Sequence, residues 1–351
     1  MLTNHSFDFF VQWHLTERCN LRCSHCYQEG KFTQEISLSE IRSAVNEIAE
    51  MIQAWSQTHE ISFSPSFNVT GGEPFLRPDL FEILEIMGGK GFDLYLLSNG
   101  ILIDREKAKQ LAGLPVKGVQ ISMEGPEGVH DSIRGKGSFS ETLKGISYLL
   151  SERNPVTLNM TLSELNAGSI FEMIELTKSL GVNRLGFSRL VPSGKGAGLL
   201  AHTLSRERVR DLYQQIFSRK FDGLEIITGD PIASQMDNFA DGQDSGDIPL
   251  GGCAAGVSGL TILPDGTITP CRRLPIPIGN IRKDSLRALW VTSPVLERLR
   301  DRSQYQGKCG SCKRWAACRG CRAIAYAFSQ SKGEVDFLAE DPQCFHPSCA
   351  V

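Results

Sequence analysis

Three cysteines, Cys19, Cys23 and Cys26, stand close together in TERCNLRCSHCYQEG. Three thiolates on one short loop suit a cubane iron–sulfur cluster that keeps one iron free of protein ligands. A structural zinc is the competing reading, and it wants a fourth ligand that His14 or His25 could supply. Further on comes Gly71-Gly72-Glu73-Pro74, a small-residue turn open to close backbone approach by a ligand. A second group follows: Cys253, Cys271, the CxxC pair Cys309 and Cys312, the CxxC pair Cys318 and Cys321, then Cys344 and Cys349. Two such pairs suit a zinc ribbon as well as they suit clusters. Eleven cysteines in two groups, with none between, read as ligand sets in two places rather than as a disulfide scaffold.

The elements around these residues follow a simple rhythm. FDFFVQWHL (7–15) reads as a buried strand running into the first cysteine loop. Leu38, Ile41, Val45, Ile48, Ile52 and Trp55 then mark one amphipathic helix behind a Ser37–Glu40 capping box. Strands are expected at 67–70, 93–97, 118–123, 156–160 and 184–190, with helices from 78, 104, 138, 169 and 205. Six strands alternating with helices imply a parallel sheet, either an open doubly wound sheet or a full or partial barrel. In both, chemistry gathers at the C-terminal ends of the strands, where the Cys19–Cys26 loop, Gly71–Pro74, Ser98–Gly100 and Ser122–Glu124 all fall. Past 222 the rhythm stops. The expected organisation is an α/β barrel over 1–222, a Gly- and Asp-rich connector over 223–252 and a cysteine-rich domain over 253–351.

At 351 residues, 41% apolar and 22% charged, the chain has the composition of a globular protein. A net charge of −3 gives no reason to expect a nucleic-acid or membrane partner. The sequence shows no signal run and no apolar span of bilayer length, so a cytoplasmic location is expected.

Cys19, Cys23 and Cys26 together with Gly-Gly-Glu-Pro resemble the radical S-adenosylmethionine (SAM) enzymes, over roughly residues 7–220. The resemblance implies a partial (β/α)6 barrel, a 4Fe-4S cluster on the three cysteines and S-adenosylmethionine chelated at the open iron. It also implies that Gly71, Gly72, Glu73 and Pro74 border the methionine amino group, and that Ser122 and Arg134 hold the carboxylate. Asn159 and Val191-Pro192 would lie near ribose and adenine, and Tyr27 would pack against the cluster. The C-terminal cysteines resemble the SPASM extension, which implies two auxiliary 4Fe-4S clusters. By that likeness Cys309, Cys312, Cys318 and Cys344 hold the outer one, and Cys253, Cys271 and Cys321 the inner one.

Two departures stand out. Two residues instead of three precede Cys321, and Gly259 stands where fully ligated members carry a further cysteine. The inner cluster is therefore expected to keep an open iron for substrate or to recruit Cys349. Lys308, Lys313, Arg314, Arg319 and Arg322 crowd this stretch, either serving anionic clusters or forming a solvated basic loop.

The phrases VQWHLTERCNLRCSHCYQ and ISMEGPEGVHDSIRGKGSF look more like peptide maturases of natural-product clusters, so a ribosomally made peptide is the expected substrate. An external ferredoxin- or flavodoxin-type donor and a separate leader-peptide recognition protein are the expected partners. Modification of a tetrapyrrole side chain, in a heme or heme d1 pathway, is the alternative, with Arg272 and Arg273 available for its carboxylates. An electron-transfer or scaffold protein is the reading from another class, though it has no use for the Gly-Gly-Glu-Pro loop. No catalytic acid or base is assigned, and Glu124, His130 and Tyr27 remain open in that role.

Overall fold

Residues 6–30, 34–236 and 246–346 are described by a computed structural model, in which one ten-stranded sheet runs through the chain. Strand β1 (Phe7–His14) sends Phe9, Val11 and Trp13 to one side, while Gln12 and His14 are buried on the other. Burial on both faces is what a parallel strand covered by helices requires. Helix α1 (Leu38–His59) starts at the expected capping box: the Ser37 hydroxyl accepts from Glu40 N, and the Glu40 carboxylate accepts from Ser37 N.

The series continues as β2 (Phe63–Thr70), α2 (Leu80–Gly88), β3 (Asp93–Ser98), α3 (Arg105–Ala112) and β4 (Val116–Ser122). Then come α4 (Glu127–Arg134), α5 (Ser138–Ser151), β5 (Val156–Leu162), α6 (Ile170–Ser179), β6 (Arg184–Arg189), α7 (Arg206–Phe217) and β7 (Glu225–Thr228). Strands β1 to β7 lie side by side in chain order, each parallel to the next. The six expected strands are β1–β6. Two elements are additions: α4, whose short EGVHDSIR carries too few apolar residues to show a period, and β7, four residues inside the expected connector.

The C-terminal part extends the same sheet. β8 (Gly259–Ile262) pairs parallel with β1, and β9 (Thr267–Thr269) and β10 (Gly279–Asn280) follow antiparallel. A Cβ on Gly259 would lie 2.7 Å from the Phe10 carbonyl oxygen, so close pairing with β1 excludes any side chain there. Beyond lie α8 (Leu286–Thr292), α9 (Pro294–Arg300), α10 (Gly307–Ser311) and α11 (Arg322–Ser331). Phe9 of β1 meets Trp55 of α1 edge-on at 5.6 Å and Trp290 of α8 at 5.0 Å. Leu286 N donates to Glu47, and Arg282 pairs with Glu40 at 2.6 Å, fixing α8 against α1. Among the described residues no helix is long and apolar enough to cross a membrane.

Candidate active site and cysteine clusters

A cavity of about 450 Å³ opens at the C-terminal ends of β1–β6, walled on one side by the first cysteine loop. Backbone bonds fasten that loop to the next strand end: Gly72 N donates to Thr16 O at 2.7 Å and Glu73 N to Arg18 O at 2.8 Å. A Cβ on Gly71 would stand 2.7 Å from Thr16 O, and one on Gly72 would stand 2.2 Å from Arg18 O. Both positions are glycine because two backbones touch there.

Cys19, Cys23, Cys26, Tyr27, Gly71, Gly72, Ser122, Arg134 and Asn159 all face this cavity. Ser122, the last residue of β4, is paired with Asn159 in the middle of β5. Glu73 and Pro74 stand behind the wall. The buried Glu73 carboxylate accepts from the Ser98 hydroxyl and Asn99 N, both at 2.9 Å, and from Phe75 N, clamping its own turn to the end of β3. Burial pushes its carboxyl up to about 7.

Arg134 is neither free nor a surface residue. Its Nη2 lies 2.6 Å from Glu124 Oε1, and its Nη1 stands 4.0 Å from Cys23 Sγ. The same fully buried Glu124 accepts from Thr161 N at 2.8 Å and faces His25 Nε2 at 3.2 Å. Burial alone would raise its carboxyl, but Arg134 and His25 hold it well below the usual carboxylate range. Glu124 is thus a charged hub shared by Arg134, His25 and the Thr161 amide. His130 accepts from Glu124 N and is held neutral by burial, at about 4.

Tyr27, next to Cys26, also lines the cavity, its hydroxyl 3.4 Å from His14 Nε2 and its ring beneath the Arg272 guanidinium at 5.9 Å. Burial pushes the phenol to about 12 and His14 down to about 3, leaving both neutral near pH 7. Arg272 and Arg273 complete the wall on this side.

Four thiols of the second group come together. Cys309, Cys312, Cys318 and Cys344 line one small cavity of about 20 Å³ together with Gln235. Cys253 N donates to Cys318 O at 3.0 Å, which links the two sets. The short spacing before Cys321 is accommodated by two successive left-handed residues, Arg319 and Gly320, both at φ 60°. The strained Arg319 is held by its guanidinium on the carbonyls of Ala316, Gly251 and Cys253. Arg314, Arg319 and Arg322 are buried and Lys313 is exposed, so the basic stretch is for the most part interior. Cys349 lies outside the described residues.

All ten described cysteines are free thiols. Burial pushes Cys19 to about 11, and Cys318 and Cys321 to about 12, so their thiolate forms need a metal or cation beside them. Among the described residues no three His, Cys, Asp or Glu side chains close to the separation of a single-ion site. Three thiols on one loop beside a glycine cradle and a cavity of ligand size fit a cluster with an organic ligand on its open side.

Residues 13–177 match the model of the radical SAM superfamily, and residues 253–322 match the SPASM iron–sulfur cluster-binding domain. A relative from Methanosarcina barkeri, AdoMet-dependent heme synthase, is 30% identical over 368 residues, covering 96% of this chain and 96% of its own. The chain belongs to the radical SAM superfamily. This radical SAM enzyme, with iron–sulfur clusters and S-adenosylmethionine as cofactors, is also 30% identical over 347 residues to the mycofactocin maturase MftC of Mycobacterium tuberculosis. That match covers 95% of this chain and 82% of the relative. In fold it is similar to Streptococcus suis SuiB bound to S-adenosylmethionine, at a TM-score of 0.69 and 17% identity, covering 99% of this chain and 78% of that one.

Sequence reasoning left several residues of the site unassigned. Gln235, Arg189 and Asp341 carry no motif, and their partners are distant in the chain. Arg189, fully buried at the end of β6, pairs with Asp230 at 2.5 Å and Asp341 at 2.8 Å and donates to Gln343 at 2.7 Å. Asp341 in turn accepts from Cys321 N at 2.8 Å.

Proposed function

We propose that this radical SAM enzyme modifies a carboxylate-bearing side chain of a tetrapyrrole. In this reading Cys19, Cys23 and Cys26 hold the S-adenosylmethionine-binding cluster, with Gly71, Gly72, Ser122 and Asn159 against the cofactor. Arg134 is positioned by Glu124. The outer cluster belongs to Cys309, Cys312, Cys318 and Cys344, and the inner one to Cys253, Cys271 and Cys321. Residues 1–222 form the catalytic barrel and 253–351 the auxiliary-cluster domain. When bound, the cluster and S-adenosylmethionine supply a 5′-deoxyadenosyl radical that takes hydrogen from an unactivated carbon.

The observation that carries the substrate assignment is Arg272. Its guanidinium is held by a neutral partner, Gln12 Oε1 at 2.7 Å, and its buried Nε has no partner. Burial lowers its pKa, and of the groups beside it Tyr27 and Cys271 oppose that effect while Arg273 adds to it. Arg273 beside it likewise has a neutral partner, the Arg189 carbonyl at 3.5 Å, and a buried Nε without one. A propionate-type carboxylate reaching the wall would supply Arg272 with a charge-assisted pair. Cavities of roughly 300–1,000 Å³ enclose one small ligand. In this reading S-adenosylmethionine and one edge of the macrocycle share the 450 Å³ cavity. The full-length similarity to AdoMet-dependent heme synthase supports the same substrate class.

A peptide is the second reading, supported by the 30% identity to mycofactocin maturase over 95% of this chain. It is the reading that brings in a separate leader-recognition protein. Both readings take an external ferredoxin- or flavodoxin-type donor.

The test is anaerobic turnover of the reconstituted enzyme with iron-coproporphyrin III and siroheme-type macrocycles, beside candidate precursor peptides. The expected result is macrocycle-stimulated 5′-deoxyadenosine and a mass change confined to a carboxylate side chain. Arg272→Ala should raise KM for the macrocycle about 10- to 100-fold while sparing substrate-free S-adenosylmethionine cleavage. Turnover of peptides with silence on every macrocycle would overturn the assignment.

A further inference from the structure

We propose that Gln235 is a positioning residue that sets the reduction potential of the outer cysteine site. This inference rests on the reading that Cys309, Cys312, Cys318 and Cys344 hold a cluster, and not on the identity of the substrate. Gln235 sits in the turn Pro231–Met236 after β7 and enters the cavity lined by those four thiols. Its Nε2 lies 3.4 Å from Cys344 Sγ and 3.8 Å from Cys318 Sγ, while its buried Oε1 has no partner.

A side-chain amide that leaves its carbonyl unsatisfied in order to aim N–H at two sulfurs is poorly placed beside neutral thiols, which are weak acceptors. Beside thiolates of a cluster the same arrangement is favourable, because hydrogen bonds to anionic acceptors are roughly twice as strong. Rotating the amide would set its oxygen against two negative sulfurs, so the charge of the site selects the orientation.

Two further donors reach the set: Gly320 N lies 3.4 Å from Cys318 Sγ, and the buried Arg322 Nη2 lies 3.7 Å from Cys309 Sγ. At the first cysteine loop the N–H donors that reach sulfur include Leu21 N on Cys19 at 3.4 Å and Arg134 on Cys23 at 4.0 Å. N–H groups on cluster sulfurs stabilise the more negative, reduced state and raise the potential. The amide of Gln235 therefore makes the outer site easier to reduce.

The experiment is a redox titration of the reconstituted full-length protein, followed by electron paramagnetic resonance and without any substrate. The proteins compared are the unchanged one, Gln235→Leu, Gln235→Glu and Cys344→Ser, the last to identify the outer signal. Gln235→Leu should lower the reduced-to-oxidised ratio of that signal about three- to ten-fold at fixed potential, 59 mV being one decade for one electron. Gln235→Glu should lower it further, and the signal of the Cys19/Cys23/Cys26 site should stay in place in both. An outer signal that Cys344→Ser alters but Gln235→Leu leaves at the same potential sinks the role of Gln235 and spares the ligand set. Iron content and signals indifferent to Cys344→Ser overturn the ligand set and the role together.

Discussion

At the scale of single residues, the site is built from close contacts that leave no slack. Gly72 is the sharpest case, because the space a Cβ would need is occupied by the Arg18 carbonyl. Gly72→Ala should cost about 1–3 kcal/mol, as overpacked positions do. It should also weaken S-adenosylmethionine binding about ten-fold or more through displacement of the cysteine loop. Calorimetry and equilibrium binding on the reconstituted protein measure the two effects, and binding at the unchanged affinity would show that the 16–18 backbone yields freely. Glu124 shows why a lone carboxylate resists assignment from sequence. It stands near the cavity as an acid would, but Arg134, His25 and Thr161 N consume its oxygens and fix it in the charged form.

At the scale of elements, each strand end contributes one piece of the cavity wall, and the helices hold those ends in place. The α1 contact with α8 is the clearest joint between the barrel and the C-terminal part. Trp290 packs at 5.0 Å on Phe9 and 5.9 Å on Trp55. Trp290→Ala should destabilise the fold by about 3 kcal/mol, the lower end for an aromatic truncation because the ring is only partly buried. Denaturant unfolding measures the loss, and a loss below about 0.5 kcal/mol would mean that the joint is carried by Arg282 and Glu47 instead. The alternation of strands and helices was legible in sequence because it depends on local apolar spacing. Strand β7 was not, since a four-residue segment has too little length to display a period.

At the scale of the whole molecule, Arg189 joins the barrel to the end of the chain through Asp230 and Asp341, 41 and 152 residues away. Burial alone would raise the Asp341 carboxyl, but Arg189 and the amides of Cys321 and Gln343 hold it below its usual 3.8. A carboxylate with a depressed folded pKa contributes stability above its unfolded pKa, and that stability is lost as pH falls through the folded value. The unchanged protein should therefore weaken as pH falls below about 4, whereas Asp341→Asn should be about 3–5 kcal/mol less stable at pH 7 and flatter in acid. Denaturant unfolding at a series of pH values measures both, and equal acid sensitivity of the two proteins would remove Asp341 from the account.

The sequence by itself determined the two cysteine groups, the glycine turn and the order of strands and helices. Each of these is written in local spacing, and the chemistry of a thiol does not depend on its neighbours to be recognised. Tertiary structure decided what these groups face: Arg272 held by the neutral Gln12, Arg134 bound to Glu124, and Gln235 aimed at sulfurs up to 109 residues distant. Charge state and partnership depend on burial and on long-range contacts, and no local pattern encodes either.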